Sequence, residues 1–176
     1  MRLPPRVALI GFMGSGKTTV GAIVARKLGY RFVDLDAEIE KTAGKKIPAI
    51  FREDGEPAFR DLEAGCLAGF ADRTGIVLSA GGGAPVRESN RPFFTDAACT
   101  IFLKIPLKTA LERAGADGSR PLLEMGPDEI RSLFESRALI YEKLGRAVES
   151  EGKTPLQVAE EIIGLLESTT RAPDPG

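Results

Sequence analysis

The chain has 176 residues, enough for one domain with its own core, and 43% hydrophobic with 28% charged residues is ordinary soluble globular usage. A net charge of −1 leaves no field to hold nucleic acid nonspecifically, so any anion site must be assembled locally from a few Arg and Lys. The absence of His removes the commonest general base and the commonest metal ligand.

Arg6-Val-Ala-Leu-Ile10 is a short apolar run that reads as a buried parallel strand. Gly11-Phe-Met-Gly-Ser-Gly-Lys-Thr18 follows it and matches the phosphate-binding P-loop, G-x-x-x-x-G-K-[ST]. The glycines let the backbone turn its N–H groups around a polyphosphate, and the helix beginning near Gly16 points its positive end at the same charge. Lys17 adds a mobile cation for the β- and γ-phosphates, and the Thr18 hydroxyl is placed for Mg²⁺. Thr19 to Leu28 repeats apolar residues at helical spacing (Val20, Ile23, Val24, Leu28) and stops at Gly29.

Arg31-Phe-Val-Asp34 reads as a brief strand, Asp36 to about Lys45 and Pro48 to Glu53 as short helices, and Glu56 to Ala71 as a longer one. Gly75 to Ser79 is a third strand with Gly81-Gly82-Gly83 directly behind it, and Ala98 to Leu103 a fourth. Leu107 to Arg113 reads as a helix, residues 114–126 as a mobile Gly-, Asp- and Pro-rich loop, and Pro127 to about Leu144 as a strong helix with Pro in its first turn. Ala147-Val148 marks a short fifth strand, Pro155 to Leu166 a closing helix, and residues 169–176 a flexible tail. Cys66 and Cys99 fit no metal or redox spacing and are expected as buried small apolar residues in a reducing cytoplasm. No apolar run approaches membrane-spanning length, and the first residues lack a signal-peptide core.

Strands alternating with helices predict an α/β fold with a parallel sheet covered on both faces. Ligands of such sheets bind outside the carboxyl ends of the strands, so the P-loop, Asp34/Asp36 and Ser79/Gly81–Gly83 should line one crevice. In Asp34-Leu35-Asp36 the two carboxylates point the same way: one can help hold Mg²⁺ through water, and the other can meet a substrate hydroxyl. The alternative is that Asp36 simply caps the helix that follows. Arg60 and Glu63 stand three apart on a helix, so pairing could hold Arg60 rigid for a carboxylate, or be a plain surface ion pair. Arg120, in Arg120-Pro-Leu-Leu123, can close over a transferring phosphoryl group. Arg137 and Tyr141 share one helical face, with Arg137 toward substrate and Tyr141 in packing.

In this order, the P-loop, D-x-D, G-E-x-x-F-R-x-x-E, G-G-G, R-P-L-L and R-x-x-x-Y motifs resemble those of the shikimate kinase family, over about Arg6 to Leu166. The resemblance implies a P-loop, nucleoside-monophosphate-kinase-like fold: a three-layer sandwich around a five-stranded parallel sheet of order 2-3-1-4-5. It implies one kinase domain over residues 1–168, with a substrate-binding region at about 36–63 and a lid at about 114–126. It implies ATP-dependent phosphorylation of the shikimate 3-hydroxyl, with Mg²⁺ as cofactor. ATP and shikimate would be the partners of a cytoplasmic monomer that binds neither nucleic acid nor membrane. Carried over by position, Lys17, Asp36 and Arg120 would be catalytic, and Asp36, Arg60, Gly82, Gly83 and Arg137 would bind shikimate. Gly14, Ser15, Gly16, Lys17, Thr18, Thr19, Arg113, Arg120 and Pro155 would bind ATP, with Arg113 stacking on adenine, and Thr18 and Asp34 would serve the metal. Phe51 and Phe59 match apolar positions beside the substrate. Another small-molecule kinase of this fold, such as a gluconate kinase, would share the P-loop and lid. A GTP switch protein is disfavoured, because Asp72-Arg-Thr-Gly75 precedes its strand and the sole Asn, Asn90, is followed by Arg. A catalytically dead homologue is disfavoured by the intact Lys17, Asp36 and Arg120.

Overall fold

Five short runs of apolar residues build the centre of the molecule: β1 (Arg6–Ile10), β2 (Arg31–Asp34), β3 (Ile76–Ser79), β4 (Cys99–Lys104) and β5 (Arg146–Glu149). The structure, a computed structural model, describes residues 3–116 and 125–169. All four strand pairings are parallel and the order is β2-β3-β1-β4-β5. Strands β1 and β3 lie inside the sheet and are buried almost throughout, whereas edge strand β5 buries only Val148.

Among the described residues, α1 (Lys17–Leu28), α2 (Leu35–Ala43), α3 (Ile47–Glu53), α4 (Gly55–Phe70), α5 (Leu107–Ala116) and α6 (Pro127–Leu144) lie in the connections between strands, and α7 (Pro155–Thr169) follows β5. The two-residue period of β1 divides the core. Val7 and Leu9 join Val20 and Val24 of α1 and Val158 and Ile162 of α7 on one face. Ala8 and Ile10 join Leu35, Ile39, Ile50, Phe59, Leu67 and Tyr141 on the other. Full burial of a Val, Leu or Ile side chain contributes about 1.5–3 kcal/mol, so both faces matter to stability. A third cluster, Phe12, Met13, Ile105, Ala110 and Ile130, packs the P-loop against α5 and α6.

Three expectations change. The cap of α2 is Asp34, not Asp36: the chain enters the helix two residues earlier than an Asp36 cap would set, and the Asp34 carboxylate accepts from the Asp36 and Ala37 N–H groups. Cys66 and Cys99 are half-buried, each at the margin of a core cluster. Residues 84–97, for which periodicity predicts no element, form a 3-10 turn at Glu88–Asn90 and a π-helical turn at Phe93–Ala97. The buried Asn90 side chain donates to Ala84 O at 3.0 Å, and Thr100 Oγ1 donates to Phe94 O at 2.7 Å.

Candidate active site

The crevice lies at the carboxyl ends of β1, β2 and β3. The turn after β1 contains Gly14 at φ +71°, and a Cβ there would stand 2.5 Å from the Ala110 carbonyl oxygen, so the loop packs on α5 only because this residue is glycine. Lys17 starts α1, and its Nζ donates to Gly11 O and Phe12 O, both at 2.9 Å. The ammonium is thereby held inside the loop whose N–H groups would face a phosphate.

Helix α5 reaches this loop from the side and carries a further turn with it. Arg113 of α5 approaches Gly14 O at 3.5 Å. Thr109 of α5 donates to Glu151 Oε1 at 2.8 Å, which ties α5 to the turn preceding Pro155, the first residue of α7. Arg113 and Pro155 are thus linked across the β5–α7 turn by a pair that sequence spacing does not announce.

After β2 the Asp34 carboxylate divides its work. Oδ1 caps α2, while Oδ2 accepts from Thr18 Oγ1 at 3.0 Å. Two hard oxygen groups therefore meet beside Lys17. Among the described residues no group of three or more His, Cys, Asp or Glu could hold a metal on its own. The Thr18–Asp34 pair fits a cation such as Mg²⁺, which keeps waters and phosphate oxygens as most of its ligands.

After β3 the three glycines serve as a floor against which three side chains lie. A Cβ at Gly81 would stand 2.8 Å from Asp36 Oδ1, at Gly82 3.3 Å from Arg137 Nη1, and at Gly83 2.6 Å from Arg60 Nη1. No larger residue could let Asp36 and Arg60 lie so close to the main chain. Gly82 also faces Gly11 O, 3.7 Å from the same virtual Cβ, so the glycine turn borders the P-loop directly.

The two arginines are held differently. Arg60 pairs with Glu56 Oε1 through Nη2 at 3.0 Å and with Glu63 Oε2 through Nη1 at 3.2 Å. Glu56 is exposed and Glu63 buried, so Glu63 is the stiffer anchor. Burial pushes the Glu63 carboxyl above its usual range, the Arg60 charge pulls it back, and Asp36 adds a smaller upward push. The Arg60 guanidinium also lies 5.2 Å from the Phe59 ring centroid, and Phe59 packs on Phe51 at 4.7 Å. Arg137 sits 5.9 Å from the Phe12 ring centroid, and its buried Nε has no hydrogen-bond partner among the described residues.

Of the residues singled out by sequence, the structure brings Gly14–Thr19, Asp34, Asp36, Arg60, Gly82, Gly83, Arg113 and Arg137 around this crevice. Arg120 and most of the expected lid lie outside the described residues, as does nearly all of the expected tail. A separate cavity of about 450 Å³ between α2 and α4, near the amino ends of β2 and β3, includes none of these residues.

The family model for shikimate kinase matches residues 13–167. The chain is 47% identical to a shikimate kinase of Persephonella marina over 91% of its own length and 98% of that protein. It is 42% identical to one of Aquifex aeolicus over 92% and 96%. The fold superposes on the solved structure of a shikimate kinase from Acinetobacter baumannii in complex with shikimate with a TM-score of 0.90, at 34% identity and 96% coverage of both chains. On motif order, fold and overall similarity, the chain belongs to the shikimate kinase family.

Proposed function

We infer that the protein transfers the γ-phosphoryl group of ATP to the 3-hydroxyl of shikimate, giving shikimate 3-phosphate and ADP on the route to chorismate and the aromatic amino acids. The observation that carries this reading is the Gly81–Gly83 floor. It presents a carboxylate and two guanidinium groups beside a P-loop, which is the donor–acceptor juxtaposition that phosphorylation of a hydroxy acid needs.

In the donor half, the N–H groups of Gly14 to Thr19 and the Lys17 ammonium cradle the phosphates, with Arg113 and Pro155 beside the base. Thr18 and, through water, Asp34 would hold Mg²⁺, which when bound offsets charge on the phosphate oxygens. In the acceptor half, Arg60 and Arg137 hold the shikimate carboxylate. Arg60 is pre-oriented by Glu63, and Arg137 Nε, buried and with no hydrogen-bond partner among the described residues, suits a carboxylate oxygen. Gly82 and Gly83 offer backbone groups to the ring substituents. Asp36 accepts a hydrogen bond from the reacting hydroxyl and takes its proton as the new P–O bond forms. By resemblance, Arg120 completes the charge around the phosphoryl group. The two free thiols, Cys66 and Cys99, suit a reducing, cytoplasmic setting, and the resemblance to the family suggests a monomer.

Arg60→Ala tests the acceptor half. Loss of a charge-assisted contact made in the ground state should raise the KM for shikimate about 10- to 100-fold, with a smaller change in kcat and an unchanged KM for ATP. An unaltered shikimate KM in steady-state kinetics removes Arg60 from the site.

A further inference from the structure

Tyr141 lies one helical turn beyond Arg137 on α6, with its ring buried against Phe102 at 5.3 Å between centroids. Packing alone would be served as well by Phe. The hydroxyl, however, donates to the Gly82 carbonyl oxygen at 2.6 Å, across 59 residues of sequence. That carbonyl belongs to the same peptide unit as the Gly83 N–H. The unit is planar, so fixing the oxygen fixes the direction of the N–H on its far side. A hydrogen bond accepted at the oxygen also polarises the amide and makes its N–H a stronger donor.

We propose that Tyr141 is a positioning residue for the acceptor: through Gly82 O it aims and polarises the Gly83 N–H at bound shikimate. The inference rests on the reading that Gly83 contacts shikimate. Three further observations fit it. Arg137 and Tyr141 flank Gly82 together, with Arg137 Nη1 at 3.3 Å and Tyr141 Oη at 3.5 Å from the position of a Gly82 Cβ, so one turn of α6 anchors both the substrate and the turn beneath it. The hydroxyl is enclosed, where a neutral hydrogen bond is stronger than in water. Burial pushes the phenol up to about 12, the nearby Arg137 pulling the other way, so Tyr141 remains a donor at neutral pH.

Tyr141→Phe keeps the ring and removes the hydroxyl, which donates to Gly82 O and accepts from the Arg137 guanidinium, so the Gly83 resonance is read beside the KM to separate the two contacts. The shikimate KM should rise roughly five-fold, while kcat and the ATP KM stay within about two-fold. In protein labelled with ¹⁵N-glycine, the Gly83 amide proton should move upfield. Phe102→Leu is the packing control: it thins the contact on the Tyr141 ring without touching the hydroxyl, and should lower Tm while leaving the shikimate KM unchanged. An unchanged shikimate KM in Tyr141→Phe, an equal rise in both substrates' KM, or an equal rise in Phe102→Leu overturns the proposal. Failure of the unaltered enzyme to phosphorylate shikimate would instead overturn the underlying reading, and the Gly83 resonance would still report whether Tyr141 controls that peptide.

Discussion

Lys17→Ala should lower kcat about 10²- to 10⁴-fold, the range seen when a preorganised charge on a reacting oxygen is removed. The Lys17 ammonium is held at 2.9 Å from both Gly11 O and Phe12 O, which places it inside the loop before any phosphate arrives. Charge develops on the phosphoryl oxygens during transfer, so a cation already in place stabilises the transition state with little reorganisation. The substitution also removes the Lys17 hydrogen bonds to Gly11 O, Phe12 O and Ser15 Oγ, so thermal melting should accompany the kinetics. A modest fall in Tm with a kcat loss of orders of magnitude separates catalysis from folding. A kcat close to that of the unaltered enzyme would contradict the assignment.

Asp36→Asn should have the second large effect, a drop in kcat of about 10²- to 10⁴-fold with a smaller change in shikimate KM. Asn has nearly the same shape and can still accept a hydrogen bond through its carbonyl, but it cannot take a proton. Because Asp36 lies against Gly81 in the first turn of α2 and does not cap that helix, its replacement leaves the Asp34 cap intact. Asp36 also pushes the Glu63 carboxyl upward, so removing its charge relieves that like-charge contact. Rapid-quench measurement of a single turnover reads the chemical step directly. A single-turnover rate equal to that of the unaltered enzyme would leave Asp36 no chemical role.

The donor half was legible in the residues themselves. The P-loop spacing is specific, the strand before it is an uninterrupted apolar run, and the residues of β1, β2 and α6 agree with the expected limits. The acceptor half was legible in another way. Arg60, Gly82, Gly83 and Arg137 are far apart in the chain, and only the ordered motif set suggested that they meet. Their convergence on the glycine turn is a tertiary fact.

What sequence did not reveal shares that character. The turns within residues 84–97 have no period, because they are fixed by contacts such as Asn90 to Ala84 O and Thr100 to Phe94 O. Tyr141 looks like core until its hydroxyl is found on Gly82, and Thr109 has no visible purpose until Glu151 meets it. The choice between Asp34 and Asp36 as the α2 cap turns on a two-residue difference in helix entry, below the resolution of periodicity.

The arrangement divides recognition from transfer. In the proposed reading, Lys17 and the loop N–H groups would act on any triphosphate. The choice of acceptor would fall to Asp36, Arg60, Arg137 and the glycine floor, which together suit a compact ring bearing both a carboxylate and a hydroxyl. A flexible hydroxy acid such as gluconate carries the same charge but would have to be ordered at an entropic cost. The most direct test is therefore kcat/KM for ADP release across shikimate, gluconate, glycerol and a nucleoside monophosphate, with the phosphorylated carbon identified by ³¹P–¹H correlation. The account predicts that shikimate is preferred by orders of magnitude and is phosphorylated at its 3-hydroxyl. Preference for gluconate or a nucleotide, or phosphate on another hydroxyl of shikimate, would contradict it.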